Sequence, residues 1–143
     1  MINAIFFRQI IQLIREAGGI IFAKTNVPQT LLSFECSNPL WGRTLHPLKT
    51  PVETPRKNNK IPLQEQEHRY TSGGSSGGET ALLASDATAM GLGTDIGGSL
   101  RIPASFCGIY SIKPSPGRTS ALGTTGTWRL RYRNRFSKPL CVQ

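Results

Sequence analysis

Two glycine–serine segments with a short helix-like stretch between them constrain this chain more than any other feature. The first reads Ser72-Gly73-Gly74-Ser75-Ser76-Gly77-Gly78-Glu79 and the second Gly91-Leu92-Gly93-Thr94-Asp95-Ile96-Gly97-Gly98-Ser99. Composition alone would make the first a flexible linker. Its surroundings argue otherwise. Glu79 to Leu83 is a good helix start, with an acid in the first turn. After the second segment, Ile102-Pro103-Ala104 and Phe106-Cys107-Gly108-Ile109-Tyr110 look buried. Linkers do not come in such pairs, so both segments are read as loops of one folded unit.

Upstream, Phe6, Phe7, Ile10, Leu13, Ile14 and Ala17 recur at helical spacing, with Arg8, Gln12 and Glu16 between them. Gly18-Gly19 supplies the stop. Ile20-Ile21-Phe22-Ala23 then reads as a short buried strand. Helix, glycine link and apolar strand predict an α/β layer. Residues 46 to 69 differ in texture: Pro47, Pro51, Pro55 and Pro62 interrupt regular structure, and Arg56 to Lys60 is solvent-loving. They are read as a surface loop or insert.

The charge is unevenly placed. Residues 1 to 95 carry nine Lys/Arg against eight Asp/Glu, while residues 96 to 143 carry eight Lys/Arg and no acid. Trp128 to Phe136 alternates arginines with Leu130, Tyr132 and Asn134. Such a run suits an edge strand with an arginine face, a phosphate-binding tail or a solvated terminus. The last reading is preferred, and no nucleic-acid partner is expected. No apolar run reaches the roughly 20 residues of a membrane helix. The apolar start has its arginine after it rather than before, which disfavours a signal peptide. Cys36, Cys107 and Cys141 are odd in number and widely spaced. They fit a reducing compartment, and the expected location is cytoplasmic. His46 and His68 stand apart with no Cys-x-x-Cys, so a structural zinc site is not expected.

Serine attacks a carbonyl only when a base takes its proton and N–H groups receive the oxyanion. Ile96-Gly97-Gly98-Ser99 suits the second need, because glycines let a backbone approach a substrate closely. The first loop offers a second serine as a proton relay. Other motifs fail. Gly74-x-Ser76-x-Gly78 imitates a nucleophile elbow, but no apolar strand precedes it and both histidines lie upstream. Gly91-x-Gly93 lacks the third glycine of a dinucleotide fingerprint, and neither loop ends in Gly-Lys-Ser/Thr.

These two loops, the second continuing through Leu100-Arg101-Ile102-Pro103-Ala104, strongly resemble the amidase signature family. Lys24-Thr25-Asn26-Val27-Pro28-Gln29 and Cys36-Ser37-Asn38-Pro39-Leu40-Trp41-Gly42-Arg43-Thr44 look like its eukaryotic branch of acetamidases and fatty-acid amide hydrolase. The resemblance covers most of residues 10 to 118. It implies an α/β fold, a mixed β-sheet covered by helices, of which this chain is an incomplete part. Residues 1–118 would be a partial amidase domain, with 46–69 as loop or insert, and 119–143 a basic, disordered tail.

The resemblance also implies hydrolysis of small-molecule amides by a Ser-Ser-Lys triad, without a cofactor. Ser99 matches the nucleophile that forms the acyl-enzyme. Ser75 matches the relay serine, which in the family follows a cis peptide bond. Ser76 is the neighbour most easily mistaken for it, but the two family loops align without gaps on Ser75 and Ser99. Ile96, Gly97, Gly98 and Ser99 match the oxyanion hole, and Leu31 a position lining the substrate pocket. The family's lysine lies in an earlier motif of the form Val-Lys-Asp. Residues 1 to 23 contain no lysine. Lys24 is read as structural, and low or no activity is expected of this chain alone. The alternatives are a non-catalytic truncated fragment or a nucleic-acid binder acting through the basic tail. No oligomeric state is implied.

Overall fold

The computed structural model describes residues 9–48, 70–115, 117–120 and 140–141. It opens with helix α1, Gln9–Glu16. Gly18 ends it in the left-handed conformation at φ +86°. Gly18 N–H reaches the Arg15 carbonyl at 3.0 Å, and Gly19 N–H reaches that of Ile14 at 2.8 Å. These are the two bonds that satisfy a helix's last carbonyls. No residue of α1 is buried, and Leu13 is half exposed.

The strand expected at Ile20–Ala23 does not form. The segment has no regular structure, and Ile20 is 87% exposed. A strand exists through its ladder, and among the described residues no neighbour pairs with this one.

Asn26 ties the next segments together. Its side-chain amide donates to the Gly42 carbonyl at 3.2 Å and to Thr44 Oγ1 at 2.9 Å, and Asn38 Nδ2 donates to its Oδ1. A single 3-10 turn, Gln29–Leu31, holds Thr30 and Leu31 at positive φ. Strands β1 (Ser37–Asn38) and β2 (Gly42–Arg43) form an antiparallel hairpin in the register Ser37↔Arg43 and Asn38↔Gly42. Asn38 Oδ1 accepts the N–H groups of Leu40 and Trp41, a side-chain turn that suits asparagine.

Leu45 and Thr71 form an antiparallel bridge, flanked by His46 N–H to the Tyr70 carbonyl at 2.9 Å. Both ends of the segment read as a loop or insert therefore meet at one paired base. The segment itself lies outside the described residues from 49 to 69.

Helix α2, Gly77–Ala84, follows the first glycine–serine loop. Its first two glycines are close-approach residues. A Cβ on Gly77 would stand 2.5 Å from Cys36 Cβ, and one on Gly78 would meet the Asn26 backbone. Strand β3 (Gly93–Thr94) pairs antiparallel with β4 (Leu140–Cys141), and helix α3 spans Arg101–Cys107. Pro103 fits inside α3 because the first-turn N–H groups have no intrahelical acceptor to lose.

Helices α2 and α3 pack together over a small core of Leu83, Ala84, Leu100, Pro103, Ala104 and Cys107, with Cys36 nearby. Cys36 and Cys107 are buried, reduced thiols. The burial expected at Phe106 and Tyr110 does not hold: they are 47% and 93% exposed. The helical period turns Pro103, Ala104 and Cys107 inward and Phe106 outward, and Tyr110 lies beyond the Gly108 cap. The arginine run from Trp128 to Phe136, and with it the tail reading, lies outside the described residues apart from β4.

Candidate active site

The two glycine–serine loops meet. Ser76 N–H donates to the Ser99 carbonyl at 3.0 Å. Ser76 is otherwise occupied with starting α2: its carbonyl accepts the N–H of Thr80 at 3.1 Å and the Thr80 hydroxyl at 2.9 Å. Its own hydroxyl faces the Thr94 carbonyl at 3.5 Å. Ser75 differs. It is 2% exposed and follows a cis Gly74–Ser75 peptide, and among the described residues its hydroxyl makes no hydrogen bond. The Ser99 hydroxyl also lacks a partner among the described residues, and Ser99 is only half buried. A buried hydroxyl ordinarily finds a partner, and among the described residues Ser75 is an exception.

Close contacts hold the first loop. A Cβ on Gly73 would stand 2.9 Å from Pro103 Cα, and one on Gly74 would stand 2.8 Å from the Ser33 carbonyl oxygen. The Ser33–Glu35 backbone thus lies against Gly74. Leu31, two residues before Ser33, is 36% exposed. Thr71 Oγ1 accepts Gly73 N–H at 2.9 Å and donates to Glu35 Oε1 at 2.6 Å. Arg43 holds the same carboxylate, through Nε at 2.8 Å and Nη2 at 3.2 Å.

The second loop folds around Asp95, which is 1% exposed. Its Oδ1 accepts Gly98 N–H at 2.8 Å, and its Oδ2 accepts the backbone N–H groups of Leu100 at 3.3 Å and Arg101 at 3.2 Å. The Arg101 guanidinium bonds both oxygens, Nε to Oδ2 at 2.9 Å and Nη2 to Oδ1 at 3.0 Å. Burial alone would raise this carboxyl's pKa. The Arg101 guanidinium and the N–H groups of Gly98, Arg101 and Leu100 outweigh it and bring the value down to about 2. Asp95 is therefore a carboxylate at neutral pH and has no proton to give. Ile96 and Gly97 lie on the exposed side of the turn.

Lys24 is exposed and hydrogen-bonds to neither loop. A cavity of about 260 Å³ opens among His46, Tyr70, Thr71 and Phe106, lined by neither Ser75 nor Ser99. Among the described residues no group of three or more His, Cys, Asp or Glu is placed to hold a metal ion, and no helix is long and apolar enough to cross a membrane.

Sequence reasoning overlooked the clamps. Thr25 Oγ1 donates to Glu79 Oε2 at 2.7 Å, and Leu92 N–H donates to Glu79 Oε1 at 3.0 Å. Glu79 was visible only as an acid near a helix start, and nothing in its spacing discloses two partners so far away along the chain.

A family model described as Amidase matches residues 8–55 and 61–137. The chain is 43% identical over 118 residues to Fatty-acid amide hydrolase 1 of Sus scrofa, covering 82% of this chain and 17% of the relative. It is 42% identical over 114 residues to Vitamin D3 hydroxylase-associated protein of Gallus gallus (80% and 21% covered) and 43% over 115 residues to an Acetamidase of Aspergillus oryzae (80% and 18% covered). The chain thus spans 17% to 21% of the length of these relatives. Among solved structures it superposes on a crystal structure of amidase with a TM-score of 0.63 and 36% identity, over 81% of this chain and 23% of that one. A fatty acid amide hydrolase structure matches with a TM-score of 0.60 and 32% identity, over 80% and 17%.

Proposed function

The chain belongs to the amidase family, and from that premise we propose that it carries the two-serine part of a site that hydrolyses small carboxamides. The observation behind this reading is the Ser76 N–H to Ser99 carbonyl bond of 3.0 Å, which joins the two loops beside a buried Ser75 hydroxyl that has no partner among the described residues. In this reading Ser99 Oγ attacks the amide carbonyl carbon. Its proton passes to Ser75, and the Ser75 proton passes to an unprotonated lysine amine. N–H groups of the Ile96–Ser99 turn receive the oxyanion. The C–N bond then breaks, the amine leaves with the returned proton, and water hydrolyses the acyl-Ser99 ester to the carboxylic acid. Leu31 belongs to the wall of the acyl pocket.

The lysine of this triad is one that residues 1 to 23 do not supply, and Lys24 bonds to neither loop. Removing one member of such a triad costs orders of magnitude in rate. The chain alone is therefore proposed to be weakly active or inactive. The test is exposure of the chain to an aryl fluorophosphonate followed by peptide mass mapping. Slow labelling confined to Ser99 is expected. Labelling at another serine, undiminished in Ser99→Ala, overturns the assignment. Rapid turnover of an aryl amide, abolished by Ser99→Ala, overturns the weak-activity part.

One observation favours a second reading, a non-catalytic fragment. Ile20, Leu32, Trp41 and Tyr110 are each at least 77% exposed, which is unusual apolar surface for a self-sufficient domain. A cooperative thermal transition of the isolated chain would count against it.

A further inference from the structure

The Ser75 hydroxyl has no partner among the described residues, so it takes no part in holding Ser75 in place. The position of Ser75 is set by the backbone on either side of it. Downstream, Ser76 N–H is fixed by the Ser99 carbonyl at 3.0 Å, main chain against main chain. Upstream, the hold is of another kind. Gly73 N–H donates to a side chain, Thr71 Oγ1, at 2.9 Å.

That acceptor is itself aimed. A threonine hydroxyl carries one proton and rotates to suit its neighbours. Here the proton goes to Glu35 Oε1 at 2.6 Å, and a carboxylate offers acceptors only. The Thr71 lone pairs are thereby left for Gly73 N–H. Glu35 is held in turn by Arg43, through Nε to Oε1 at 2.8 Å and Nη2 to Oε2 at 3.2 Å. The Glu35 main chain also takes part, since a Cβ on Gly74 would stand 3.1 Å from the Glu35 carbonyl carbon. On the opposite side the loop has no room to retreat. A Cβ on Gly73 would stand 2.9 Å from Pro103 Cα and 3.2 Å from the Phe106 ring.

We infer that Glu35, acting through the Thr71 hydroxyl, is a positioning residue for Ser75. This rests on the proposed function, in which Ser75 passes on the proton of Ser99. Glu35 hydrogen-bonds to neither serine. It braces the two residues before Ser75, Gly73 through its carboxylate and Gly74 through its backbone. It also stands four residues after Leu31, so one side chain ties the proposed acyl wall to the relay loop.

The test compares Thr71→Val, Thr71→Ser, Glu35→Ala and the Glu35→Ala/Thr71→Val double variant with the parent. Amide NMR of the isotopically labelled full chain is read beside the rate at which an aryl fluorophosphonate labels Ser99. Thr71→Val keeps the shape and removes the hydroxyl. It is expected to shift the Gly73 and Ser75 cross-peaks and to speed Gly73 amide exchange about tenfold. Labelling of Ser99 should slow by about threefold or more, as misplacement of a reacting group predicts. Thr71→Ser, which restores the hydroxyl, should return all three readouts to the parent's. Glu35→Ala should reproduce the Gly73 and Ser75 shifts, and should add nothing to them in the Thr71→Val background. A fall in melting temperature with the cross-peaks and labelling rate unchanged overturns the inference and leaves the proposed function standing. Failure of Thr71→Ser to restore the parent pattern, or an equal Glu35→Ala effect in both backgrounds, overturns it likewise. Absence of Ser99 labelling in the parent overturns the proposed function, and the amide readouts then decide by themselves whether Glu35 holds the loop through Thr71.

Discussion

Thr25 donates its hydroxyl proton to Glu79 Oε2 at 2.7 Å, and the other oxygen of that carboxylate accepts Leu92 N–H at 3.0 Å. One side chain at the start of α2 thus joins the Thr25–Asn26 segment to the entrance of the Ser99 loop. Glu79→Ala leaves the half-buried Leu92 N–H without its acceptor and is expected to cost about 1–3 kcal/mol. Glu79→Gln, which keeps an acceptor, should lose less. Urea unfolding of the two variants beside the parent checks the order, and equal losses would refute it.

Acid should weaken this structure late. The folded Asp95 carboxyl has its pKa lowered from 3.8 to about 2, so its contribution is full above the unfolded value and is lost as pH falls through the folded one. Stability measured from pH 5 downwards is expected to hold until roughly pH 4 and then decline toward pH 2. In Asp95→Asn that part of the decline disappears. Arg101→Ala, which takes two bonds from a buried carboxylate, should cost about 2 kcal/mol at neutral pH.

Adjacent glycines in the Ser99 loop differ in what they tolerate. Gly98 sits at φ +125°, and a Cβ there would stand 2.6 Å from Ile102 Cδ1. A Cβ on Gly97 meets nothing within 4 Å. Gly98→Ala should therefore destabilise by about 1–3 kcal/mol, the range for a residue forced into a glycine conformation. Gly97→Ala should stay within about 0.5 kcal/mol of the parent. Thermal melts decide this, and a reversed order would contradict the geometry.

The paired base at Leu45 and Thr71 implies that the segment between is removable. Replacing residues 47 to 69 with Asn-Gly leaves His46 and Tyr70 at the ends of a two-residue hairpin, and Asn-Gly is the pair such a turn prefers. Loop closure becomes easier by about 0.6 kcal/mol for each halving of loop length. The shortened chain is expected to melt at or above the parent's temperature. Loss of the folded signal would show that the excursion carries contacts the rest depends on.

The sequence disclosed the features that depend on local chemistry. Gly18-Gly19 ends α1 because only glycine takes that conformation without penalty, and the glycine–serine loops revealed themselves through a pairing that linkers lack. Ile20–Ala23 misled because an apolar run states a wish for burial without naming what covers it. Phe106 and Tyr110 misled for the same reason, since apolarity says neither which way α3 turns a ring nor what stands beside a residue past its cap. Thr25 and Glu79 were silent as clamps, because a polar side chain's partner is set by tertiary approach and has no periodicity to betray it. The difference between Ser75 and Ser76 became physical only in three dimensions, where one starts a helix and the other lies buried with its hydroxyl free of protein partners among the described residues.

At Gly78, the Asn26 backbone comes so close that no side chain fits, and the Gly78 N–H bonds the Asn26 carbonyl at 3.2 Å. Two stretches of main chain in contact act as a gauge block: their separation is fixed by atomic radii and has no adjustable part. In the proposed site, the wall that leads to Leu31 and the helix after Ser75 are set against this stop. A pocket between them would narrow only through larger side chains, because at Gly78 the two backbones have no room to come closer.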